Sequence, residues 1–311
     1  MNRLIALPVA LASALLLVAC GSSATSESSP SVGATTAPPS ACPTTPVPVV
    51  VSVDQWGDIV QQLGGDCAQV TTIIKNSSVD PHDYEPTTAD IATFTSAQLV
   101  VVNGADYDAW AEKAVALVPS QPALVSAANV NNVAAGANPH LWYSPTYVGA
   151  TAKAVTESLK SIAPDAAAYF DAQANAWEES MRPYFDTIDR IKAAHSGARY
   201  AATESVFDYM AEALGMVNVT PQGYQNAAAA ESDPAPGDVF AFNELLTGGT
   251  VAVLIYNTQT EGAIPEEIRA TATTANVPVV DVTETVAPGS TSFEEWQVSQ
   301  LDALEGALGT S

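Results

Sequence analysis

The chain has 311 residues, with 34 acidic against 10 basic side chains and a formal net charge of −24. Phosphate recognition needs Lys and Arg, so this balance excludes a nucleic-acid partner; it suits a molecule whose surface attracts cations. Only three cysteines and three histidines are present, so every candidate nitrogen or sulfur donor can be weighed singly.

Arg3, the apolar run Leu4 to Val18 and the closing Ala19-Cys20-Gly21 read as a targeting segment. The run is shorter than the ~20 residues that span a bilayer, and small residues before Cys20 suit a processing site. The pattern resembles a bacterial lipoprotein signal over residues 1–19, with Cys20 as the lipid-bearing first residue of the mature protein. Residues 20–46 are mostly Ser, Thr, Ala and Pro with almost no large apolar side chain. Such a stretch cannot bury enough surface to offset its ordering entropy, and it reads as a tether.

Val47 to Val53 is a short apolar run of buried-strand type. Trp56 to Leu63 follows at helical spacing and stops at Gly64-Gly65. Cys42 and Cys67 each stand just before a predicted parallel strand, so adjacent strands bring them to one sheet edge. In an exported chain this predicts a Cys42–Cys67 disulfide. After the strand Val70 to Ile74 comes Asp80-Pro81-His82-Asp83-Tyr84-Glu85-Pro86-Thr87. The prolines hold this loop extended until Thr87, which can cap a helix from Thr88 to Ala97. His82 is thereby displayed past a strand end, where α/β proteins place ligands.

A third strand, Leu99 to Asn103, a helix from Asp106 to Val118 and a short strand, Leu124 to Ala127, continue the alternation. The polar loop 129–138 delivers Pro139-His140-Leu141-Trp142, and a helix follows from Pro145 to Ile162. Pro164 opens a long apolar-periodic stretch that, bent at Pro183, would extend about 45 Å at ~1.5 Å per residue. It reads as a connecting helix over residues 164–195. The second half alternates again: strands at 199–203, 251–256 and 277–282, helices at 206–214, 238–246, 265–276 and 293–308, and a loop from Gln222 to Gly237. The expected fold is therefore α/β, with two lobes (47–163 and 196–311), each a mainly parallel sheet flanked by helices, joined by one long helix.

Glu204 directly follows the strand ending at Thr203, and Glu284 lies two residues past Val282. Two histidines in the first lobe and two carboxylates in the second thus stand at strand ends that face one cleft. Two imidazoles and two carboxylates leave no obvious position for an activated water, which catalytic zinc sites keep open. No HExxH, GxSxG or P-loop is present, so the reading is a binding protein and not an enzyme. A metal-dependent hydrolase, and an adhesin or receptor for an organic solute using Trp142, Tyr143 and Tyr256, stand as alternatives.

With Pro81-His82-Asp83-Tyr84-Glu85-Pro86-Thr87, Asn138-Pro139-His140-Leu141-Trp142, Thr203-Glu204-Ser205-Val206-Phe207-Asp208-Tyr209, Tyr256-Asn257-Thr258-Gln259 and Val282-Thr283-Glu284-Thr285 in this order, the chain resembles the metal-specific solute-binding lipoproteins of zinc and manganese ABC importers. The resemblance runs from about Pro48 to Leu308. It implies metal ligands at His82, His140, Glu204 and Glu284, with Asp281 competing for the fourth place if the register slips. It also implies Mn or Zn, with Fe as a further candidate, as the transported ligand. The implied partners are permease and ATPase subunits of an ABC importer, with a monomer held to the extracytoplasmic membrane face by lipid. The histidine-rich loop of many zinc receptors is absent, and His195, which precedes its strand, reads as surface. Asp80, Asp83 and Glu85 are candidates to accept the second ring N–H of His82. The donor set does not choose the metal, because Zn²⁺ exceeds Mn²⁺ in affinity for such donors in general.

Overall fold

Val47, Val49, Val50, Val51 and Val53 are almost wholly buried along the first strand, and Leu99, Val100, Val101 and Val102 along the third. Each such side chain contributes about 2 kcal/mol by leaving water. Strands buried on both faces need helices on both faces, which is the parallel-sheet arrangement. A computed structural model shows this arrangement twice. It describes residues 41–75, 84–230, 232–260 and 262–309; the leader with Cys20 and the loop with His82, Asp80 and Asp83 lie outside the described residues.

In chain order the first lobe is β1 (Val47–Val53), α1 (Asp54–Gly64), β2 (Ala68–Ile74), α2 (Thr88–Ser96), β3 (Leu99–Val102), α3 (Ala109–Leu117), β4 (Ala123–Ser126), α4 (Ala127–Val130) and α5 (Pro145–Ile162). Two helices follow, α6 (Ala167–Ser180) and α7 (Arg182–His195). The second lobe is β5 (Arg199–Ala202), α8 (Asp208–Leu214), β6 (Val217–Asn218), α9 (Gln222–Ala229), α10 (Pro236–Thr247), β7 (Val253–Asn257), α11 (Ala263–Thr274), β8 (Val279–Val282) and α12 (Phe293–Leu308). The sheets run β2-β1-β3-β4 and β6-β5-β7-β8, all parallel. Both therefore reverse direction of winding beside their first strand, and their carboxyl ends carry the candidate ligands.

Thr87 caps α2 as predicted: its hydroxyl accepts from the Asp90 N–H, while the Asp90 carboxylate accepts from the Thr87 N–H at 2.8 Å. Cys42 and Cys67 are disulfide-bonded at the β1–β2 edge, where Val47 pairs with Ala68. The long helix is bent. Met181 sits between α6 and α7, and Pro183, at the start of α7, has no N–H to continue the ladder. α6 packs against α1 and α5 of the first lobe, α7 against α8 and α12 of the second, so one bent rod serves both lobes.

Three local readings change. Pro164 opens a single 3-10 turn, Pro164–Ala166, before α6 begins. The two-residue strand β6 was not foreseen, being too short to show a period. Residues expected as loop, Gln222 to Ala229, form α9, because its alanines favour helix and Tyr224 buries its ring edge-on against Phe242 at 4.7 Å.

Candidate metal centre

His140 ends the segment that follows α4 and is held by one amide. The Asn138 Oδ1 accepts from the His140 N–H at 3.1 Å and lies 2.7 Å from His140 Nδ1. Because Asn138 Nδ2 donates to the Ser205 carbonyl at 2.8 Å, its oxygen is the atom turned to the ring. His140 Nδ1 is therefore the protonated nitrogen, and Nε2 carries the lone pair that a cation needs. The ring is boxed edge-on by Trp142 at 5.4 Å and by Tyr107 at 6.3 Å.

Nε2 of His140 lies 3.8 Å from Oε2 of Glu284. Two ligand atoms about 2.1 Å from one ion at a tetrahedral angle are roughly 3.4 Å apart, so a small closure brings this pair to a shared ion. Glu284 stands on the segment after β8, which is fastened from both sides. From the first lobe, Gln55 Nε2 donates to the Glu284 carbonyl at 2.9 Å and Tyr143 Oη to the Thr283 carbonyl at 2.7 Å. From the second lobe, Gln259 Oε1 accepts from the N–H groups of Glu284 and Thr285 at 2.7 and 3.0 Å.

Glu204 leaves the end of β5 through buried Thr203. Its Oε1 accepts from Thr260 Oγ1 at 2.5 Å and its Oε2 from Asn257 Nδ2 at 2.6 Å. Asn257 Nδ2 also donates to Glu284 Oε1 at 2.8 Å. Burial holds the Glu204 carboxyl above the usual carboxylate range; Thr260 opposes this and the negative charge of Glu284 adds to it, with Asn257 and His140 pulling the other way. The field of a bound cation would favour the charged form of Glu204.

His140, Glu204 and Glu284 thus line one cleft of about 1350 Å³, together with Asn138, Thr260 and the inner side of α9. No Lys or Arg occurs among the described residues that line it. Among the described residues no three His, Cys, Asp or Glu side chains are drawn tightly enough to hold an ion by themselves. Asp281 is placed elsewhere: it lies on the exposed side of β8 and forms a two-bond pair with Arg269, at 2.8 and 3.0 Å. Strand alternation turns it away from the cleft that the chain enters after Val282. Glu85 is exposed, and His195 ends α7 outside the cleft lining.

The aromatic groups considered for an organic solute are otherwise engaged. Trp142 and Tyr143 are fully buried, and Tyr256 lies under the Arg269 guanidinium at 4.5 Å. Sequence reasoning missed the roles of Asn138, Asn257, Gln259 and Thr260. Asn257 and Gln259 stand in a motif already noticed, Tyr256-Asn257-Thr258-Gln259, but nothing in a single sequence distinguishes an amide that orients a ligand from one that closes a turn.

Comparison with known proteins bears on the same region. The chain is 30% identical over 174 residues to the iron-binding protein YfeA of Yersinia pestis, which covers 52% of this chain and 55% of that protein. It is 26% identical over 231 residues to the high-affinity zinc uptake system protein ZnuA of Bacillus subtilis, covering 67% and 68%. The chain spans little more than half the length of the first relative and about two thirds of the second. In fold it is similar to the SBP FpvC of Pseudomonas aeruginosa, solved in complex with Mn²⁺, with a TM-score of 0.70 at 20% identity over 86% of this chain and 99% of that one. Residues 49–307 match the model of a single family, and the chain belongs to it: ZnuA, the zinc-uptake complex component A, periplasmic.

Proposed function

We propose that this protein is an extracytoplasmic receptor that captures one divalent transition-metal ion between its two lobes and delivers it to the permease and ATPase of an ABC importer. The observation that carries the reading is the meeting of His140 from the first lobe with Glu204 and Glu284 from the second in one cleft whose described lining holds no Lys or Arg. His82, which lies outside the described residues, is proposed as the fourth ligand. Cys20 is proposed as the lipid anchor, with residues 20–46 as the tether, 47–163 and 196–311 as the two metal-binding lobes, and 164–195 as their connection.

The relatives' printed functions name iron and zinc, and the similar solved structure holds manganese. The cargo is accordingly proposed as Mn²⁺ or Zn²⁺, with Fe²⁺ as a further candidate. Every step of such a function is binding and release; the cleft needs no general base or nucleophile. The test is elemental analysis of the soluble domain purified without chelators, followed by competitive titration of Mn²⁺, Zn²⁺ and Fe²⁺. One equivalent of metal, lost in His82→Ala and in Glu204→Ala, is the expected result; affinity unchanged in both variants would sink the assignment.

A further inference from the structure

We infer that Tyr209 is a positioning residue that acts through Asn138, from across the lobe boundary, to hold His140 in the tautomer whose Nε2 can take a metal ion; the inference rests on the receptor reading above. Tyr209 lies in the first turn of α8 and is partly buried. Its ring stands edge-on to Tyr147 of α5 at 5.2 Å, and its Oη donates to the Asn138 carbonyl at 2.9 Å. Asn138 and Tyr147 lie on either side of His140 in the chain, so one side chain of α8 touches the segment before the imidazole and the helix after it. Burial pushes the Tyr209 phenol up to about 12, so its hydroxyl stays a donor at neutral pH.

Asn138 is held a second time from the same turn. Its Nδ2 donates to the Ser205 carbonyl at 2.8 Å, and that carbonyl also accepts from the Asp208 N–H at 3.2 Å. Backbone and side chain of Asn138 are thus each tied to the start of α8. The amide oxygen is left facing His140, where it accepts from the backbone N–H at 3.1 Å and meets Nδ1 at 2.7 Å. Turning the amide over would exchange its nitrogen and oxygen and present a donor to the ring. Nδ1 would then have to accept, and Nε2 would carry the proton and lose the lone pair that a cation needs. The Tyr209 bond fixes the peptide of Asn138 and the Ser205 bond fixes its amide. Together they decide which ring nitrogen is left unprotonated.

The experiment joins ¹⁵N NMR of the metal-free chain at about pH 8, where imidazole is neutral, to titration with Zn²⁺ and Mn²⁺. The chains compared are the wild type, Tyr209→Phe, Asn138→Ala and the double variant, with His140→Gln to assign the ring signals and circular dichroism to confirm folding. The wild type is expected to carry the His140 proton on Nδ1. Tyr209→Phe keeps the ring against Tyr147 and removes only the hydroxyl. It is expected to mix the two tautomers and to weaken both metals about 2- to 10-fold, the worth of one hydrogen bond. In the Asn138→Ala background the same change should cost almost nothing, because a residue that acts through the Asn138 amide then has nothing to act on. Losses that add in the double variant, or a weaker affinity with the tautomer unchanged, would make Tyr209 merely structural and overturn the inference, leaving the receptor reading intact. An Nε2–H tautomer in the wild type would overturn it as well, whether or not the variants fold. A wild-type chain that holds neither metal would overturn the receptor reading itself.

Discussion

The neighbour two residues earlier orients His140: Asn138 Oδ1 accepts from the ring at Nδ1 and leaves Nε2 to the cleft, as the proposed ligand role needs. Replacing Asn138 by alanine should free the ring to turn and weaken metal binding about 10- to 100-fold, as loss of such supporting contacts does elsewhere; titration calorimetry checks this. A different residue illustrates the cost of placing acids between lobes. Asp54 opens α1 with one carboxylate oxygen buried and unpartnered, and burial raises its pKa to about 6, opposed by backbone N–H groups that include Val286. The folded-state value lies above the unfolded one, so the stability linked to Asp54 is fully present below about pH 4 and is lost as pH rises through 6. Asp54→Asn should therefore be close to neutral at pH 4 and more stable than wild type by about 1–3 kcal/mol at pH 7. Urea unfolding at both pH values measures the difference, and equal effects at the two would contradict it.

At the scale of elements, β1 and β2 are stapled by Cys42–Cys67, which closes a 25-residue separation across α1. Loop-closure entropy of that length is worth about 3.5 kcal/mol. The double alanine variant should lose close to that in denaturant unfolding while its metal affinity, set at the opposite ends of the strands, stays within about twofold. A large loss of affinity would mean that the sheet edge governs the cleft. The segment after β8 has the opposite character. Thr283 and Glu284 are held by Tyr143 and Gln55 from the first lobe and by Gln259 from the second, and the Phe293 N–H reaches Asp58 at 2.7 Å in the first. This crossing ties α12 and a candidate ligand to both lobes.

For the whole molecule, metal should act as a staple between lobes. A ligand that binds only the native state adds stability as its concentration exceeds Kd, about 4 kcal/mol at a thousandfold excess. Zinc or manganese should thus raise the thermal midpoint of the wild type by several degrees and leave His82→Ala nearly unmoved, a contrast that scanning calorimetry reads directly. Imidazole ligates only when neutral, so affinity should fall below about pH 6; a flat profile from pH 5 to 8 would count against histidine ligands. The net charge of −24 adds a long-range attraction for cations that salt screens.

The sequence by itself determined what depends on local period and local chemistry. Valine runs buried on both faces, Thr87, Gly64-Gly65 and Pro145 declared strands, caps and stops, and α5 and α12 begin and end where their spacing predicts. Strand ends followed by Glu204 and Glu284 could be read because a parallel sheet places all its carboxyl ends on one side, while His140 could be read from its irregular segment just before α5. The alternation within β8 was equally present in the sequence, yet it could not show that Asp281 would meet Arg269, since that contact joins a strand to a helix across the fold. Nor could it show that α9 would form, because Tyr224 becomes an anchor only when Phe242 is there to receive it. The amides of Asn138, Asn257 and Gln259 acquire roles for the same reason. A hydrogen bond is decided by distance and angle between groups far apart in the chain, and only the packed structure sets those.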